Sequence, residues 1–334
     1  MKAIVTSATS GVIHDPRSLI DVELPTPVPG SRDLLVQVRA VSVNPVDTKV
    51  RARATAEPRV LGWDASGVVL AVGPAVTRFK PGDAVFYAGA LTRPGTNSEL
   101  HLVDERIAGP KPTSLDDAAA AALPLTAITA WELLFDRLGV PQGGGEGQHL
   151  LVVGAAGGVG SILVQLAARL TRLTVIGTAS RPETADWVRG LGAHHVIDHA
   201  EPLAEALKRQ GVAAVEAVAS LTHTETHYPQ IVEALAPQGR LALIDDPKSL
   251  DITSLKVKSV SAHWEFMFTR SMFETPDMHR QRDLLERVSA LVDQGVLRTT
   301  VAEHFGRIDA ANLRRAHALI ESGRARGKIV LEGF

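Results

Sequence analysis

One stretch near the middle of the chain constrains the fold more than any other. Residues 150–153 form a continuous apolar run, and residues 154–160 that follow it are almost all Gly or Ala. Between 162 and 170 apolar residues recur at steps of three and four, which predicts one face of a helix. A strand, a turn of small residues and a helix in this order suit a dinucleotide pyrophosphate, because the backbone can approach the phosphates and the first amides of the helix point at them.

The turn carries the dinucleotide-binding pattern G-x-G-x-x-G with one substitution. It reads Ala155-x-Gly157-x-x-Gly160, so Ala stands in the first glycine position. A glycine-rich turn also occurs between strands and helices that bind nothing, because glycine adopts positive φ readily. The strand before the turn and the helix after it favour the cofactor interpretation. We expect the backbone of five consecutive residues to contact the cofactor: Ala156, Gly157, Gly158, Val159 and Gly160.

Strand and helix patterns alternate around this unit. Repeated βα units predict the α/β class, with a doubly wound parallel sheet that is covered on both faces and binds its ligand across the C-terminal ends of the strands. Residues 1–125 read instead as short β runs separated by Pro and Gly, which predicts a compact, barrel-like β domain. In the alternating region, strands are predicted at 149–154, 173–178, 194–197, 213–219 and 239–244, and helices near 159–170, 183–191, 201–210 and 225–236.

Length and composition limit the possible functions. The chain has 334 residues, which suits two domains of about 150 residues each. Its net charge of −2 offers no electrostatic basis for binding nucleic acid or a membrane surface. No apolar run near about 18 residues and no signal-peptide pattern are evident, so we expect a cytoplasmic protein without a membrane span. The chain has no Cys, which excludes disulfides, thiolate metal sites and cysteine nucleophiles.

The end of the second strand of the nucleotide-binding unit indicates which dinucleotide is bound. An NAD-binding unit carries a carboxylate there, about 20 residues after the glycines, which holds the ribose 2′-hydroxyl. Here the strand ends in Ala179-Ser180-Arg181-Pro182, with no acidic residue. The Ser180 hydroxyl and the Arg181 guanidinium would bind a 2′-phosphate, which predicts NADPH. The alternative is that Arg181 is a solvated charge at a helix start.

Aromatic residues are concentrated in one segment, although they make up only 4% of the chain. Residues 257–275 contain one Trp and three Phe. One interpretation is a strand edge that packs in the core or at a dimer interface. The other is the wall of an apolar substrate pocket, to which Trp264, Phe266 and Met267 would contribute.

Several motifs together resemble those of the medium-chain dehydrogenase/reductase superfamily. Within it, the chain is similar to the zinc-free quinone oxidoreductase branch, also called zinc-type alcohol dehydrogenase-like, and the resemblance covers nearly the whole chain. One departure is Ala168, where the quinone-reductase signature prefers a basic residue or Ser. The motifs are Asn44-Pro45-Val46-Asp47, Gly67-Val68-Val69 through Val72-Gly73, Phe79-Lys80-Pro81-Gly82-Asp83, Leu123-Pro124-Leu125-Thr126-Ala127, and residues 154–160 with Gln165.

The resemblance implies how the chain is divided. A GroES-like catalytic domain of the β-barrel type would comprise residues 1–125 and 275–334. A Rossmann NADPH-binding domain, residues 126–274, would be inserted between these two parts. We expect such a protein to form a homodimer.

The resemblance also implies the polar groups of the catalytic site. The Asn-Pro-x-Asp match makes Asn44 a candidate contact to nicotinamide or substrate. Asp47 is a candidate as well, although it suits the organisation of its own loop. Tyr87 could donate a hydrogen bond to the substrate oxygen, or it could be a phenol that only lines the pocket.

Further cofactor contacts are implied outside the glycine turn. Thr126 would lie beside the nicotinamide, and Ser220 and Leu221 would contact the nicotinamide ribose. His199 matches a residue that helps bind the 2′-phosphate in related NADPH reductases. The alternative for His199 is an ordinary histidine of a surface loop.

The resemblance points away from a metal. Zinc alcohol dehydrogenases of this superfamily hold the catalytic zinc with a Cys and a Gly-His-Glu motif, and here those positions read Asn44 and Gly62-Trp63-Asp64. Trp63 would fill the volume of the ligand histidine and line the substrate pocket. The lobe of four Cys that binds structural zinc has no counterpart. Because a catalytic zinc needs about three protein ligands, we expect no bound metal.

Without a Lewis acid, hydride addition to an already activated acceptor is easier than oxidation of an alcohol. The expected function is NADPH-dependent hydride transfer to a quinone or an α,β-unsaturated carbonyl, and the expected partner is a small hydrophobic electron acceptor. Two alternatives stay open. One is a reductase of another activated alkene, such as a haloacrylate or an enoyl thioester, and the other is a non-catalytic NADPH-binding protein.

Overall fold

The computed structural model describes residues 1–7, 10–53 and 57–334. They form two compact units: unit 1 contains Met1–Ile128 and Phe268–Phe334, and unit 2 contains Thr129–Met267. The first junction follows residue 128 where the sequence predicts 125, and the second follows residue 267 where it predicts 274.

Strands are distributed over both units. In the described part of the chain they are β1 (Lys2–Thr6), β2 (Leu19–Glu23), β3 (Asp33–Val43), β4 (Ala65–Val72), β5 (Ala84–Tyr87), β6 (Leu100–Asp104), β7 (Ala108–Pro110), β8 (His149–Val153), β9 (Thr174–Thr178), β10 (His195–Ile197), β11 (Val215–Ser220), β12 (Leu235–Leu243), β13 (Ser261–Trp264), β14 (Val301–His304) and β15 (Lys328–Glu332).

Helices alternate with strands mainly in unit 2. They are α1 (Pro45–Ala52), α2 (Asp117–Ala121), α3 (Pro124–Trp131), α4 (Gly158–Leu170), α5 (Pro182–Leu191), α6 (Leu203–Arg209), α7 (Thr224–Ala234), α8 (Thr269–Met272), α9 (Arg280–Asp293) and α10 (Ala310–Glu321). A π-helical segment, Glu132–Arg137, follows α3, and two 3₁₀ helices span Glu105–Ile107 and Ile252–Lys258.

Unit 2 is built on a parallel sheet of six strands in the order β10-β9-β8-β11-β12-β13. After its first residue, His149, strand β8 is apolar because helices cover both faces of the sheet, and residues 150–153 are fully buried. The strand order reverses between β8 and β11, which is where such sheets bind their ligand. This is the predicted doubly wound sheet, and every helix and strand predicted between 149 and 244 is present.

The helix that follows the glycine turn packs as its sequence pattern predicts. On α4, Ile162, Leu163, Leu166 and Ala167 are buried, whereas Leu170 at its end is only partly buried. Burial of such side chains contributes about 1.5–3 kcal/mol for each large aliphatic group. This packing fixes the N-terminus of α4 at the C-terminal edge of the sheet.

Unit 1 is built on a mainly antiparallel sheet in the order β14-β15-β3-β4-β5-β7, with β6 also paired to β3. It is the predicted β domain. A separate pair, β1 and β2, is antiparallel. The last strand, β15, pairs with β3 so that Ile329 faces Val43. This register places Lys328 next to the start of α1, where Pro45 occupies the first helical turn.

One helical run passes a membrane-span test on length and composition alone. It is Asp117–Arg137, with a mean hydropathy of 1.5 over 18 residues, whereas the sequence analysis expected no membrane span. Of that window, 83% is buried inside the protein. Core helices pass the same test, so the run is weak evidence for a membrane span.

Candidate active site

The glycine turn joins β8 to α4. Gly154, the first residue after the strand, has a φ of +84°, a conformation that favours glycine. A Cβ on Gly160 would lie 2.5 Å from the Gly154 carbonyl oxygen and 2.6 Å from the Ala155 Cα, so the helix start could not approach the turn. The Gly154 amide donates to the Thr178 hydroxyl at 3.1 Å, which ties the turn to the end of β9.

Amides at the start of α4 suit an anion. The helix's hydrogen bonding starts with the Ser161 amide, which donates to the Gly157 carbonyl at 2.8 Å, so the amides of residues 158–160 precede it. Residues 156–159 are partly exposed. A Cβ on Gly157 would contact only the Gly154 oxygen, at 3.5 Å, so the absence of a side chain there leaves room above the turn. The glycine turn and the amides of residues 158–160 therefore fit a dinucleotide pyrophosphate.

The ends of β9 and β10 lie side by side, because the Ala179 amide donates to the Ile197 carbonyl at 3.0 Å. Ser180 is exposed and the Arg181 side chain is 40% exposed. An acidic residue just beyond the predicted window pairs with this arginine: Glu183 lies 3.0 Å from the Arg181 Nε. A 2′-phosphate would therefore compete with Glu183 for the guanidinium.

Ser220 and Leu221 leave β11 next to β8. The Leu221 amide donates to the Val153 carbonyl at 3.1 Å, and the buried Ser220 hydroxyl lies 2.7 Å from that of Thr224. In unit 1, the Thr126 hydroxyl is buried and donates to the Leu123 carbonyl at 3.1 Å. Both predicted cofactor hydroxyls are thus bonded within the protein, and their cofactor roles stay predictions.

The three residues predicted to line an apolar pocket differ in their exposure to solvent. Trp264 is 56% and Phe266 46% exposed, whereas Met267 is buried. Trp264 ends β13, the edge strand of the unit 2 sheet. Packing in the core of the chain is therefore excluded for Trp264 and Phe266. An interface and a pocket wall remain compatible with their exposure.

A buried charged network stands where the resemblance places zinc ligands. The Lys328 ammonium donates to the Val43 carbonyl and to the Asp64 carboxylate, each at 3.0 Å, and also to the Asn44 side-chain oxygen. Lys328, Asn44 and Asp64 are almost completely buried. A fixed positive charge therefore bridges two of the positions that correspond to zinc ligands.

The Asp64 carboxylate accepts hydrogen bonds on both oxygens. The Asn44 side-chain amide donates at 2.8 Å and the Leu125 backbone amide at 2.7 Å, in addition to Lys328. Complete burial raises the pKa of Asp64, whereas Lys328 and Asn44 act to lower it. Because every contact to these oxygens is a donor, the geometry is that of an ionised carboxylate.

Asp47 lies in the first turn of α1 and accepts a 2.6 Å hydrogen bond from the Asn44 backbone amide. Burial raises the pKa of Asp47 to about 7, and the charge of Asp64 acts in the same direction. Lys328 and hydrogen bonding to the Asn44 amide oppose that rise. Asp47 therefore organises the start of the helix, and its catalytic role stays a prediction.

Trp63 fills the interior of unit 1 beside the network. Its indole nitrogen donates to the Ala90 carbonyl at 3.3 Å, and its ring meets Phe268 edge to face with centroids 6.3 Å apart. Within residues 1–7, 10–53 and 57–334, no group of three or more His, Asp or Glu is arranged to hold a metal ion. The residues at the zinc position do not fit a catalytic zinc.

Tyr87 is paired with a histidine that the sequence reading did not single out. Its hydroxyl lies 3.2 Å from His101 Nδ1, the two rings are stacked, and both residues are buried. Burial lowers the pKa of His101 to about 4 and raises that of Tyr87. His101 Nε2 lies 3.0 Å from the Pro94 carbonyl, which only accepts, so Nε2 carries the proton. The Tyr87 hydroxyl therefore donates to the bare Nδ1.

Unit 2 contains a buried pair of glutamates that the sequence analysis does not predict. Glu265 follows β13 and hydrogen-bonds with Glu132 of the π-helical segment, and the Arg137 Nε donates to Glu265 at 2.8 Å. Burial and Glu132 raise the pKa of Glu265 to about 9, so the pair holds a proton at neutral pH. No local spacing signal links residues so far apart in the chain.

Comparison with known proteins agrees with this architecture. The family model described as Alcohol dehydrogenase GroES-like domain matches residues 30–112, and the one described as Zinc-binding dehydrogenase matches residues 191–331. A Zinc-type alcohol dehydrogenase-like protein of Staphylococcus aureus strain Mu50 is 40% identical over 309 residues, which cover 91% of this chain and 92% of that protein.

Two solved structures extend the comparison. A Rhizobium etli CFN 42 protein, described as a candidate zinc-dependent alcohol dehydrogenase, is 58% identical to this chain. The two structures superpose with a TM-score of 0.96, and the match covers 100% of this chain and 98% of that one. Escherichia coli quinone oxidoreductase complexed with NADPH is 25% identical with a TM-score of 0.84, covering all of both chains. The chain therefore belongs to the medium-chain dehydrogenase/reductase superfamily and is an oxidoreductase that uses a nicotinamide cofactor.

Proposed function

We propose that this protein transfers a hydride from NADPH to a quinone or an α,β-unsaturated carbonyl compound without a metal ion. The buried Lys328–Asp64–Asn44 network carries the proposal, because a protein cation occupies the position where related enzymes place zinc. Similarity to a quinone oxidoreductase that binds NADPH supports the choice of acceptor and cofactor.

The absence of zinc ligands selects the class of acceptor. Asn44 replaces the ligand Cys, and Trp63 replaces the ligand His with a ring that cannot coordinate zinc. A hydroxyl group or an isolated carbonyl would receive no Lewis-acid activation at such a site. A quinone or conjugated enone spreads the incoming charge onto its own oxygen, so it requires positioning more than activation.

Bound NADPH supplies the hydride. The glycine turn would hold its pyrophosphate through the amides of residues 158–160, and Ser180 and Arg181 would distinguish the 2′-phosphate from the 2′-hydroxyl. Asn44, Asp47 and Tyr87 are engaged with neighbours inside unit 1, so we assign them to supporting the site. The reduced acceptor then takes its proton from water.

A substrate panel with chelator present tests the proposal. NADPH oxidation is measured with quinones, alkenals, haloacrylates and simple aldehydes, with and without a zinc chelator, and the metal content of the protein is determined. We expect turnover of quinones or enones that chelation leaves unchanged, with a higher kcat/KM for NADPH than for NADH. Activity that disappears with the chelator and returns with zinc would refute metal independence. No turnover on the panel would favour a non-catalytic NADPH-binding protein.

We also propose a cytoplasmic homodimer. Strand β13 has a hydrogen-bonded neighbour, β12, on one side of the sheet, and Trp264 at its end is 56% exposed. An exposed strand edge with apolar side chains is a surface that a second copy can cover. Sedimentation at several concentrations tests this, with Trp264→Glu expected to shift the protein towards monomer.

A further inference from the structure

Three histidines meet in unit 2 at the C-terminal edge of the sheet. The rings of His199 and His227 are in edge-to-face contact, with centroids 5.8 Å apart. His199 follows β10, His227 lies in the first turns of α7, and His223 is the N-terminal cap of that helix. Since β9 and β10 end side by side, His199 of this histidine cluster follows β10 close to the loop that carries Ser180 and Arg181.

The cluster is short of negative charge. The His227 Nδ1 atom is buried and has no hydrogen-bond partner in the described part of the chain, which is uncommon for a polar atom in a folded protein. Burial, His199 and His223 together lower the pKa of His227. Asp245 is the acidic group that opposes them, and its carboxylate already accepts the Thr224 amide at 2.8 Å.

We propose that His199, His223 and His227 form a proton-linked part of the 2′-phosphate site, so that the preference for NADPH over NADH strengthens as the pH falls towards the range in which histidine titrates. This inference rests on the proposed function and names a regulation of the same site. Its ligand is the phosphate dianion on the adenosine ribose, for which protonated imidazoles are charged donors.

Protonation of the histidine cluster would couple phosphate binding to pH. Without the dianion, burial and the charges of His199 and His223 act against protonation of His227. A bound phosphate favours their protonated forms, so binding takes up protons, and affinity must weaken as the pH rises through the histidine titration. An anion suits the cluster better than a metal, since no metal-binding group of three His, Asp or Glu occurs among the described residues.

Calorimetry on half-cofactor probes tests the inference independently of turnover. Adenosine 2′,5′-bisphosphate and adenosine 5′-monophosphate are titrated into the whole protein at about pH 6, 7 and 8, in buffers of different ionisation enthalpy, to count protons taken up. The variants are His199→Gln and His227→Gln. His195→Gln is the matched control, because His195 lies on the same β10 strand but contacts Gln210.

We expect the wild type and His195→Gln to take up more protons with the bisphosphate than the other two variants do. Near pH 6, each of those variants should bind the bisphosphate about tenfold more weakly, the effect of one charged hydrogen bond. Unchanged binding of the monophosphate shows that a variant is folded. Titration of the ligand's own phosphate is common to all proteins and cancels in the comparison.

Two results would overturn the inference, and they are distinguishable. Equal proton uptake by the wild type and both cluster variants, with the bisphosphate still preferred, removes the histidines from the site and leaves the NADPH proposal standing. Equal affinity for bisphosphate and monophosphate at every pH removes the 2′-phosphate site itself, and with it the NADPH proposal.

Discussion

The ammonium group of Lys328 lies 3.0 Å from the carboxylate of Asp64, and both side chains are almost completely buried. The two residues come from the last strand and from the segment before β4, so the pair joins distant parts of unit 1. An ion pair removed from water is retained only when each charge is well supplied with partners, and here both are.

Replacing Lys328 should strongly destabilise the protein. Lys328→Met leaves Asp64 buried without its counter-charge, and we expect the free energy of unfolding to fall by about 3–5 kcal/mol. The double variant Lys328→Met, Asp64→Asn should recover part of that loss. Chemical denaturation of the wild type, Lys328→Met, Asp64→Asn and the double variant measures the coupling.

The control for this experiment is an exposed pair of the same kind. Lys80 lies 2.9 Å from Asp83, but its side chain is 80% exposed. Lys80→Met should change the free energy of unfolding by less than about 1 kcal/mol. Similar losses for Lys80→Met and Lys328→Met would contradict the importance of burial.

Asp47 should make stability depend on pH in a definite direction. Its folded-state pKa of about 7 lies above the unfolded value, so the folded protein holds more protons between about pH 4 and 7. This contribution is present at low pH and is lost as the pH rises through 7. Relative to the wild type, Asp47→Asn should therefore gain roughly 2–4 kcal/mol of unfolding free energy across that window.

The comparison must be between variant and wild type, because His101 acts in the opposite direction. Its lowered pKa of about 4 gives stability that is present above about pH 6.5 and lost as the pH falls towards 4. Denaturation curves of wild type and Asp47→Asn at several pH values isolate the Asp47 contribution. A difference between them that does not change with pH would show that Asp47 titrates normally.

The phenol of Tyr87 should matter for stability more than for catalysis. Tyr87→Phe leaves the buried His101 Nδ1 without its donor, which should cost about 1–3 kcal/mol of unfolding free energy. We expect kcat/KM to change by less than about threefold, whereas loss of a proton donor typically costs about 100-fold or more. Tyr228→Phe is the matched control, since its hydroxyl donates to the Asp251 carbonyl at 3.0 Å. A large loss of kcat/KM with unchanged stability would instead indicate that the Tyr87 hydroxyl donates a hydrogen bond to the substrate oxygen.

Replacing two glycines of the turn by Ala should have different effects on stability and on cofactor binding. Gly160→Ala brings a Cβ to 2.5 Å from backbone, so we expect a lower Tm and loss of cofactor binding together. Gly157→Ala meets its nearest atom at 3.5 Å, so the fold should persist while the pyrophosphate is held off. Thermal unfolding and NADPH titration of both variants separate the effects. An unchanged Kd in folded Gly157→Ala would place the pyrophosphate elsewhere.

How much the sequence predicts depends on how local the relevant interactions are. The glycine turn and its helix follow from residues within one short stretch, and the predicted and observed bounds of α4 differ by one residue. The ion pair of Arg181 with Glu183 is also local, but Glu183 follows the strand end, residues 179–182, at which an NAD-binding carboxylate is expected.

The charged network could not be read in the same way. Lys328 and Asn44 are 284 positions apart, and they meet only because β15 pairs with β3. A weak signal existed, since Lys328 begins a run that is otherwise apolar. The sequence around Lys328 does not predict which residue it contacts, and the sequence around His199 does not predict its contact with His227.

The pairing of β15 with β3 also orders events during synthesis. The acidic side chains of Asp47 and Asp64 leave the ribosome early, but the lysine that compensates them, Lys328, follows 264 positions after Asp64. Unit 2 has all its residues once Met267 has emerged, whereas unit 1 lacks strand β15 until Lys328–Glu332 have followed. Because domains generally fold as units, we expect unit 2 to fold first, before residues 1–128 of unit 1 can pair with β15.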